Sequence, residues 1–306
     1  MVASERQSGA DRQRREEELV RAVLAAFERT PDVRLRELLA SLVRHLHAVV
    51  RETRLTEQEW AAAIEFLTET GQISDAHRQE FVLLSDVLGI SMQTVAVNDT
   101  AGPAATEATV LGPFFVAGAP RLERGADIAM GAQGEPCWVE GSVSDTAGRA
   151  CAGALLDVWE CDEDGLYDVQ RDGAAMAARA TLEADPEGRF WFWALTPVPY
   201  PIPDDGPVGR LLRATSRSPM RAPHLHFRVS APGARTLVTH IFVEGERLRR
   251  DGDAVFGVRE SLVRVFERQA PGTPTPDGRQ LPAERSWTRV RFDIVLEATA
   301  DLRPAR

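Results

Sequence analysis

Two histidines one residue apart, in Pro223-His224-Leu225-His226-Phe227, are the first feature of this sequence that could do chemistry. In a β-strand, residues two apart project from the same face. His224 and His226 can then reach one metal while Leu225 and Phe227 pack the other side. Taken alone, the pair fits equally well two polar residues on a solvated strand face. The tyrosines add a second element. The chain has only Tyr167 and Tyr200, against twelve phenylalanines and six tryptophans. A chain using tyrosine as a space filler would carry more, so the phenol hydroxyl is what these positions need. A genome that depletes tyrosine codons would give the same count. Tyr200 lies in Pro197-Val198-Pro199-Tyr200-Pro201-Ile202-Pro203, where proline restricts the backbone on both sides and suits a preorganised ligand. A tyrosine packed on apolar surface in a proline-rich turn is the other reading.

Two phenols and two imidazoles form an unusual donor set. Phenolate is a hard anionic oxygen donor and suits a highly charged cation such as Fe(III), which lowers the phenol pKa from its ordinary value near ~10. Two phenolates and one hydroxide neutralise three positive charges, which makes a partly buried site tolerable. Zinc favours Cys, His and carboxylate, and ferrous oxygenases favour two His with one carboxylate. The three cysteines, Cys137, Cys151 and Cys161, form no Cys-x-x-Cys and are read as free thiols.

These donors need a frame. Residues 11–90 show helical periodicity, after about ten polar residues read as irregular. Leu19, Val20, Val23, Leu24 and Phe27 recur at helical spacing, as do Leu35, Leu38, Leu39, Leu42, Val43 and Leu46. Thr56 followed by Glu59 predicts a capping box opening a third helix with Trp60, Ile64 and Leu67 on one face, stopped at Gly71. Ser74 is expected to cap a fourth helix carrying Phe81, Leu84 and Val87. Residues 91–136 read as a turn-rich connection, broken by Gly102-Pro103, Gly112-Pro113, Gly118 and Pro120. From residue 137 the texture is β, with strands expected over 138–143, 154–159, 190–193, 225–229, 237–243 and 290–295. Frequent turns without long intervening helices predict an α+β chain: helices over 1–105, then an antiparallel β-sandwich over 106–306. The Pro197–Pro223 connection is too long for an idle hairpin loop.

At 306 residues, 43% hydrophobic and 27% charged, the chain can bury a sizeable core. A net charge of −10 with no basic stripe argues against nucleic-acid partners. No apolar run reaches 18 residues, and the N-terminus lacks an apolar signal region, so a cytoplasmic protein without membrane insertion is expected.

Leu111-Gly112-Pro113-Phe114-Phe115, Val158-Trp159, Gly165-Leu166-Tyr167, Pro199-Tyr200-Pro201-Ile202-Pro203 and Arg221-Ala222-Pro223-His224-Leu225-His226-Phe227 occur in that order. This series resembles the intradiol ring-cleavage dioxygenases over roughly residues 15–295. The resemblance implies a homodimer held by the N-terminal helical domain, and a β-sandwich catalytic domain with one Fe(III) per subunit bound by Tyr167, Tyr200, His224 and His226. It implies that an aromatic diol displaces Tyr200, that O2 then attacks the ring, and that Arg221 stabilises the negative charge that develops there. Relatives also bind a phospholipid at the dimer interface, which the apolar helix stripes here permit.

Thr239-His240-Ile241-Phe242-Val243-Glu244-Gly245 and Asp253-Ala254-Val255-Phe256-Gly257-Val258 are similar to the branch that cleaves hydroxyquinol, 1,2,4-trihydroxybenzene. Catechol-cleaving members usually carry glutamine at the position of His240. His240 is therefore a catalytic candidate, with an orienting residue or a satisfied core histidine as alternatives. The resemblance assigns the substrate pocket to Leu83, Asp86, Val110, Gly112, Pro113, Phe114, Ile202, Pro203, Arg221 and Val255. Asp86, a carboxylate among apolar neighbours, could accept a hydrogen bond from the third hydroxyl. The alternative substrate is catechol or a chlorocatechol, and a non-catalytic binding module is the distant reading.

Overall fold

The computed structural model describes residues 2–75, 78–99, 102–171, 175–245 and 252–299. By backbone packing the chain divides into two compact units, residues 1–69 and 70–306.

The first unit is helical. Helix α1 spans Val2–Phe27, so the N-terminal residues expected to be irregular are helical, and α2 spans Val33–Thr53. These two helices pack on each other. The Asp32 carboxylate opens α2 by accepting the Leu35 N–H at 2.9 Å. Helix α3 (Glu57–Ile73) begins with the expected capping box. The Thr56 N–H donates to Glu59 at 2.8 Å and the Glu59 N–H donates to the Thr56 hydroxyl at 3.2 Å. Gly71 does not stop this helix, which continues to Ile73. On α2, Leu35, Leu38, Leu42 and Leu46 are exposed, as are Trp60, Ile64 and Leu67 on α3.

Two further helices belong to the second unit. Helix α4 spans Glu80–Val87 and α5 spans Ile90–Asn98. Ser74 caps neither, since its hydroxyl donates back to the Thr70 carbonyl at 2.7 Å. Residues 90–98 also correct the expectation of a turn-rich, non-helical connection from residue 91, since Ile90–Asn98 is helical. No single helix among the described residues is long and apolar enough to cross a membrane.

The remainder forms strands β1 (Pro136–Asp145), β2 (Leu155–Trp159), β3 (Arg179–Glu183), β4 (Arg189–Leu195) and β5 (Tyr200–Pro201). Helix α6 (Pro207–Ala214) follows, then β6 (Met220–Arg221), β7 (His224–Ser230), β8 (Leu237–Val243), β9 (Val263–Arg264), β10 (Glu267–Gln269), β11 (Trp287–Arg291) and β12 (Ile294–Leu296). One five-stranded sheet runs β10-β11-β1-β12 with β4 also on β1; the other runs β3-β2-β7-β8-β9. Most pairings are antiparallel as expected, but β1–β11, β1–β12 and β8–β9 are parallel. The long 197–223 connection holds β5, α6 and β6, with β5 and β6 paired as a separate ribbon.

The inward faces of the two large sheets share one apolar core. Phe190 and Phe192 of β4 and Phe292, between β11 and β12, meet Phe227 of β7 at ring separations of 6.3, 6.5 and 5.3 Å. Truncating such a ring to alanine costs about 3–5 kcal/mol. Gly141 on β1 is required by this packing, because a β-carbon there would lie 1.9 Å from the Phe292 carbonyl oxygen.

Candidate metal centre and substrate pocket

Strand β7 alternates strictly. Leu225, Phe227 and Val229 face the sandwich core and are fully buried. Their burial fixes the strand's register, and register sends His224 and His226 to the opposite face. Strand pairing then lines up Trp159, His226 and His240 across β2, β7 and β8. The Trp159 ring stacks on the His226 imidazole at 4.5 Å and 17°. His240 meets His226 edge-on, at 4.2 Å and 71°.

The tyrosines arrive from two loops. Asp162 organises the turn before Tyr167 by accepting the Asp164 and Leu166 N–H groups, both at 3.0 Å. Arg179 clamps the next residue, Asp168, through Nε at 2.7 Å, and donates Nη1 to the Phe114 carbonyl at 3.1 Å. Phe114 in turn stacks on Tyr167 at 4.4 Å. Tyr200 is held by the β5–β6 ribbon, where it pairs with Arg221.

Four donor atoms converge. Tyr167 Oη lies 3.1 Å from Tyr200 Oη and 2.9 Å from His226 Nε2. His224 Nε2 lies 3.1 Å from His226 Nε2 and 3.4 Å from Tyr200 Oη. Ligands held about 2 Å from one metal stand roughly 2.8 to 3.3 Å apart, depending on their angle; three of these separations fall in that range and the fourth, 3.4 Å, lies just above it, so the four atoms could share one cation after a small adjustment. All four side chains are buried.

The imidazole tautomers agree with that fit. His224 donates Nδ1–H to the Ala222 carbonyl at 2.6 Å, which leaves Nε2 with a free lone pair. His226 Nδ1 lies 2.6 Å from His240 Nε2, and His240 Nδ1 lies 2.7 Å from the Thr109 hydroxyl. If His240 donates Nδ1–H to Thr109, its Nε2 accepts the His226 Nδ1–H, and His226 Nε2 also presents a lone pair. Two lone pairs 3.1 Å apart repel unless a cation or the phenol protons lie between them. The three histidines could be read as one cluster, with a ligand nitrogen of each within 4.8 Å of the others. The direction of His240 Nε2 separates it: it faces His226 Nδ1, away from the four-donor centre.

Burial opposes charge on every donor. It pushes the Tyr200 phenol up to about 12 and the Tyr167 phenol well above its usual value, where the neighbouring Tyr200 adds to the effect. It pushes His224 down to about 3, and His226 and His240 well below the usual imidazole value. Without metal the cluster is neutral, so a cation bound by both phenolates would displace their two protons.

Arg221 is the charge beside the donors. Burial works against its protonated form, but Asp253 and the two tyrosines hold its pKa above the ordinary guanidinium value. It therefore stays cationic.

The expected pocket residues are distributed as follows. Leu83, Ile202 and Val255 join Val87, Val208, Leu212 and Ala254 in one apolar cluster. Helix α4 is held there by Glu80, whose Oε1 accepts the Val208 N–H at 3.0 Å, and by Arg78, which bridges Glu80 and Asp205. Asp86 on α4 is buried. Burial raises its carboxyl above the usual range, and a Ser91 hydrogen bond and the Arg221 charge partly offset this. Gly112, at φ +76°, faces the His226 ring, which a β-carbon would meet at 3.4 Å. Val110 is buried, Pro203 half-buried and Pro113 exposed. A cleft of about 600 Å³ beside α5, lined by Met92, Glu107, Arg259 and Arg264 among others, contains none of the four donors.

Sequence reasoning gave no part to Thr109, Asp168 or Arg179, and quoted Trp159 and Asp253 only as motif residues. Thr109 and Asp253 act through partners 131 and 32 positions away, and Asp168 and Arg179 meet 11 positions apart; a single sequence carries no local signal for such pairs.

Known proteins resemble this chain over most of its length. The family described as Dioxygenase matches residues 110–298, and Catechol dioxygenase N terminus matches residues 32–106. Hydroxyquinol 1,2-dioxygenase of Nocardioides simplex is 61% identical over 94% of this chain and 97% of its own length. The enzyme of the same name from Rhodococcus opacus is 59% identical over 92% of this chain and 93% of its own. The crystal structure of hydroxyquinol 1,2-dioxygenase from Pseudomonas putida DLL-E4 superposes with a TM-score of 0.85 at 41% identity, covering 94% and 99% of the two chains. The chain belongs to the intradiol ring-cleavage dioxygenases, in their hydroxyquinol branch.

Proposed function

We propose that this chain cleaves hydroxyquinol between its vicinal hydroxyls, adding both atoms of O2 to give 3-hydroxy-cis,cis-muconate, which tautomerises to maleylacetate. The convergence of Tyr167, Tyr200, His224 and His226 carries this reading. The relatives named hydroxyquinol 1,2-dioxygenase support the choice of substrate. The donor set is one that suits Fe(III), and the four residues would hold one ion per subunit. Iron bound there supplies Lewis acidity that activates the diol toward oxygen.

The chain's own residues do the rest. Tyr200 is the donor the substrate would replace, and its phenol oxygen could then take the proton of a diol hydroxyl. The Arg221 guanidinium, paired with Tyr200 across the ribbon, faces negative charge developing on the substrate. His240 and Thr109 orient His226. Leu83, Val110, Gly112, Phe114, Ile202 and Val255 would enclose the ring, with the exposed Pro113 and the half-buried Pro203 at its edge. Asp86 would accept a hydrogen bond from the third hydroxyl, which catechol lacks.

We further propose residues 1–105 as the dimerisation domain, residues 106–306 as the catalytic domain, and a cytoplasmic homodimer. The exposed stripes of α2 and α3 suit the dimer contact and a phospholipid at that contact. Oxygen uptake by the iron-loaded protein with hydroxyquinol and catechol side by side tests the central reading. Faster turnover of hydroxyquinol is expected, and a tenfold faster rate with catechol would move the assignment to the second substrate.

A further inference from the structure

Arg221 presents a buried charge with one end tied and one end free. Its Nε donates to Asp253 Oδ1 at 2.7 Å, and both side chains are almost completely enclosed, at 4% and 1% exposure. Among the described residues its Nη2 is buried and has no hydrogen-bond partner. An orphaned guanidinium N–H in a closed site is costly unless something else meets it.

Asp253 is itself locked. Its Oδ1 also accepts the Ala222 N–H at 3.3 Å, and its Oδ2 accepts the Gly257 N–H at 2.8 Å. The neighbouring Ala254 N–H donates to the Met220 carbonyl at 3.1 Å, which docks this turn onto β6. The turn includes Phe256 at φ +58°, a conformation a bulky side chain adopts only when its surroundings impose it. Gly257 matters as well: a β-carbon there would lie 3.1 Å from Asp253 Oδ2 and 3.5 Å from Arg221 Nη2. The turn thus grips the guanidinium through Nε and leaves Nη2 uncrowded.

We propose that Asp253 is a positioning residue for ring cleavage: it anchors Arg221 through Nε so that Nη2 is free to meet negative charge on the substrate. The proposal rests on the reading of Arg221 given under Proposed function. Asp253 touches neither substrate nor donor cluster in this scheme; it acts through Arg221 alone.

The test uses the full-length, iron-loaded protein and the variants Asp253→Asn, Asp253→Glu, Arg221→Gln and the double variant Arg221→Gln/Asp253→Asn. Three quantities are measured: iron content with the visible phenolate-to-iron absorption, the hydroxyquinol Kd from anaerobic titration of that absorption, and kcat from oxygen uptake. Asp253→Asn is expected to lower kcat at least tenfold, with Kd within threefold of wild type and iron and absorption unchanged. Asp253→Glu should recover part of the loss, and the double variant should be no slower than Arg221→Gln. A kcat within twofold of wild type overturns the proposal. So does a loss that follows iron content or Kd, or a double variant that falls a further tenfold. If Asp253→Asn does not fold, the double variant, which removes both members of the charge pair, decides against Arg221→Gln on its own. Failure of the wild-type protein to turn over hydroxyquinol would sink the functional reading separately, since that arm contains no Asp253 change.

Discussion

Gly165 lies so close to Tyr200 that a β-carbon on Gly165 would stand 2.6 Å from the Tyr200 β-carbon. Gly165 is also at φ +79°, where a side chain is strained whatever the space. The turn that delivers Tyr167 and the ribbon that delivers Tyr200 are therefore fitted to one another at a residue with no donor of its own. Gly165→Ala should lower Tm, with roughly 1 kcal/mol or more lost from backbone strain alone. By displacing Tyr200 it should also cut kcat at least tenfold, since misplacement by about 1 Å can cost about a hundredfold. Thermal unfolding and oxygen uptake on one preparation check this; wild-type values for both would show that the contact is tolerant.

Thr109 ends the chain of hydrogen bonds that starts at His226. Thr109→Val keeps the shape and removes the hydroxyl. His240 then loses the partner that fixes its tautomer, and His226 loses a reliable acceptor for Nδ1–H. Iron should leave for a chelator about tenfold faster, in line with the usual cost of disturbing such partners. An unchanged release rate would show that Thr109 does not act on the metal ligand.

Asp86 should govern the choice of diol. Asp86→Ala is expected to lower kcat/KM for hydroxyquinol relative to catechol by about tenfold or more, the usual range for one lost buried hydrogen bond. Asp86→Asn, which can still accept, should fall less. Equal losses with both substrates would remove Asp86 from the specificity argument.

Glu160 gives a pH prediction away from the donors. It is buried, its Oε1 accepts the Leu195 N–H at 2.8 Å, and its Oε2 has no partner among the described residues. Burial raises its carboxyl well above the usual value, with the Leu195 hydrogen bond working the other way. The folded state therefore holds this proton at pH values where the unfolded chain has released it, and stability falls as pH rises through that window. Glu160→Gln keeps the acceptor and cannot ionise. It should raise Tm at pH 8 and change it little at pH 4; about 1 kcal/mol recovered corresponds to roughly 2 °C or more. A shift of equal size at both pH values would mean that packing, not ionisation, is responsible.

The helix and strand patterns were legible because they are local. The capping box at Thr56 and Glu59 and the alternation of β7 can both be read from neighbouring residues, and both formed as expected. The helical stop at Gly71 and the Ser74 cap were misread for a related reason. A glycine costs a helix only about 1 kcal/mol, and a serine hydroxyl can turn back to the preceding helix as easily as forward. The parallel pairing of β1 with β11 and β12 joins segments about 150 residues apart, and no local signal specifies it.

The sequence by itself determined the donor types, the shared face of His224 and His226, and the proline frame around Tyr200, because residue chemistry and a period of two are properties of short stretches. The tertiary structure alone decided which groups stand behind those donors. Thr109 reaches His240 across 131 positions and Arg221 reaches Asp253 across 32. Such partners are chosen by sheet register and loop docking, which follow from burial of the whole core and not from any one segment.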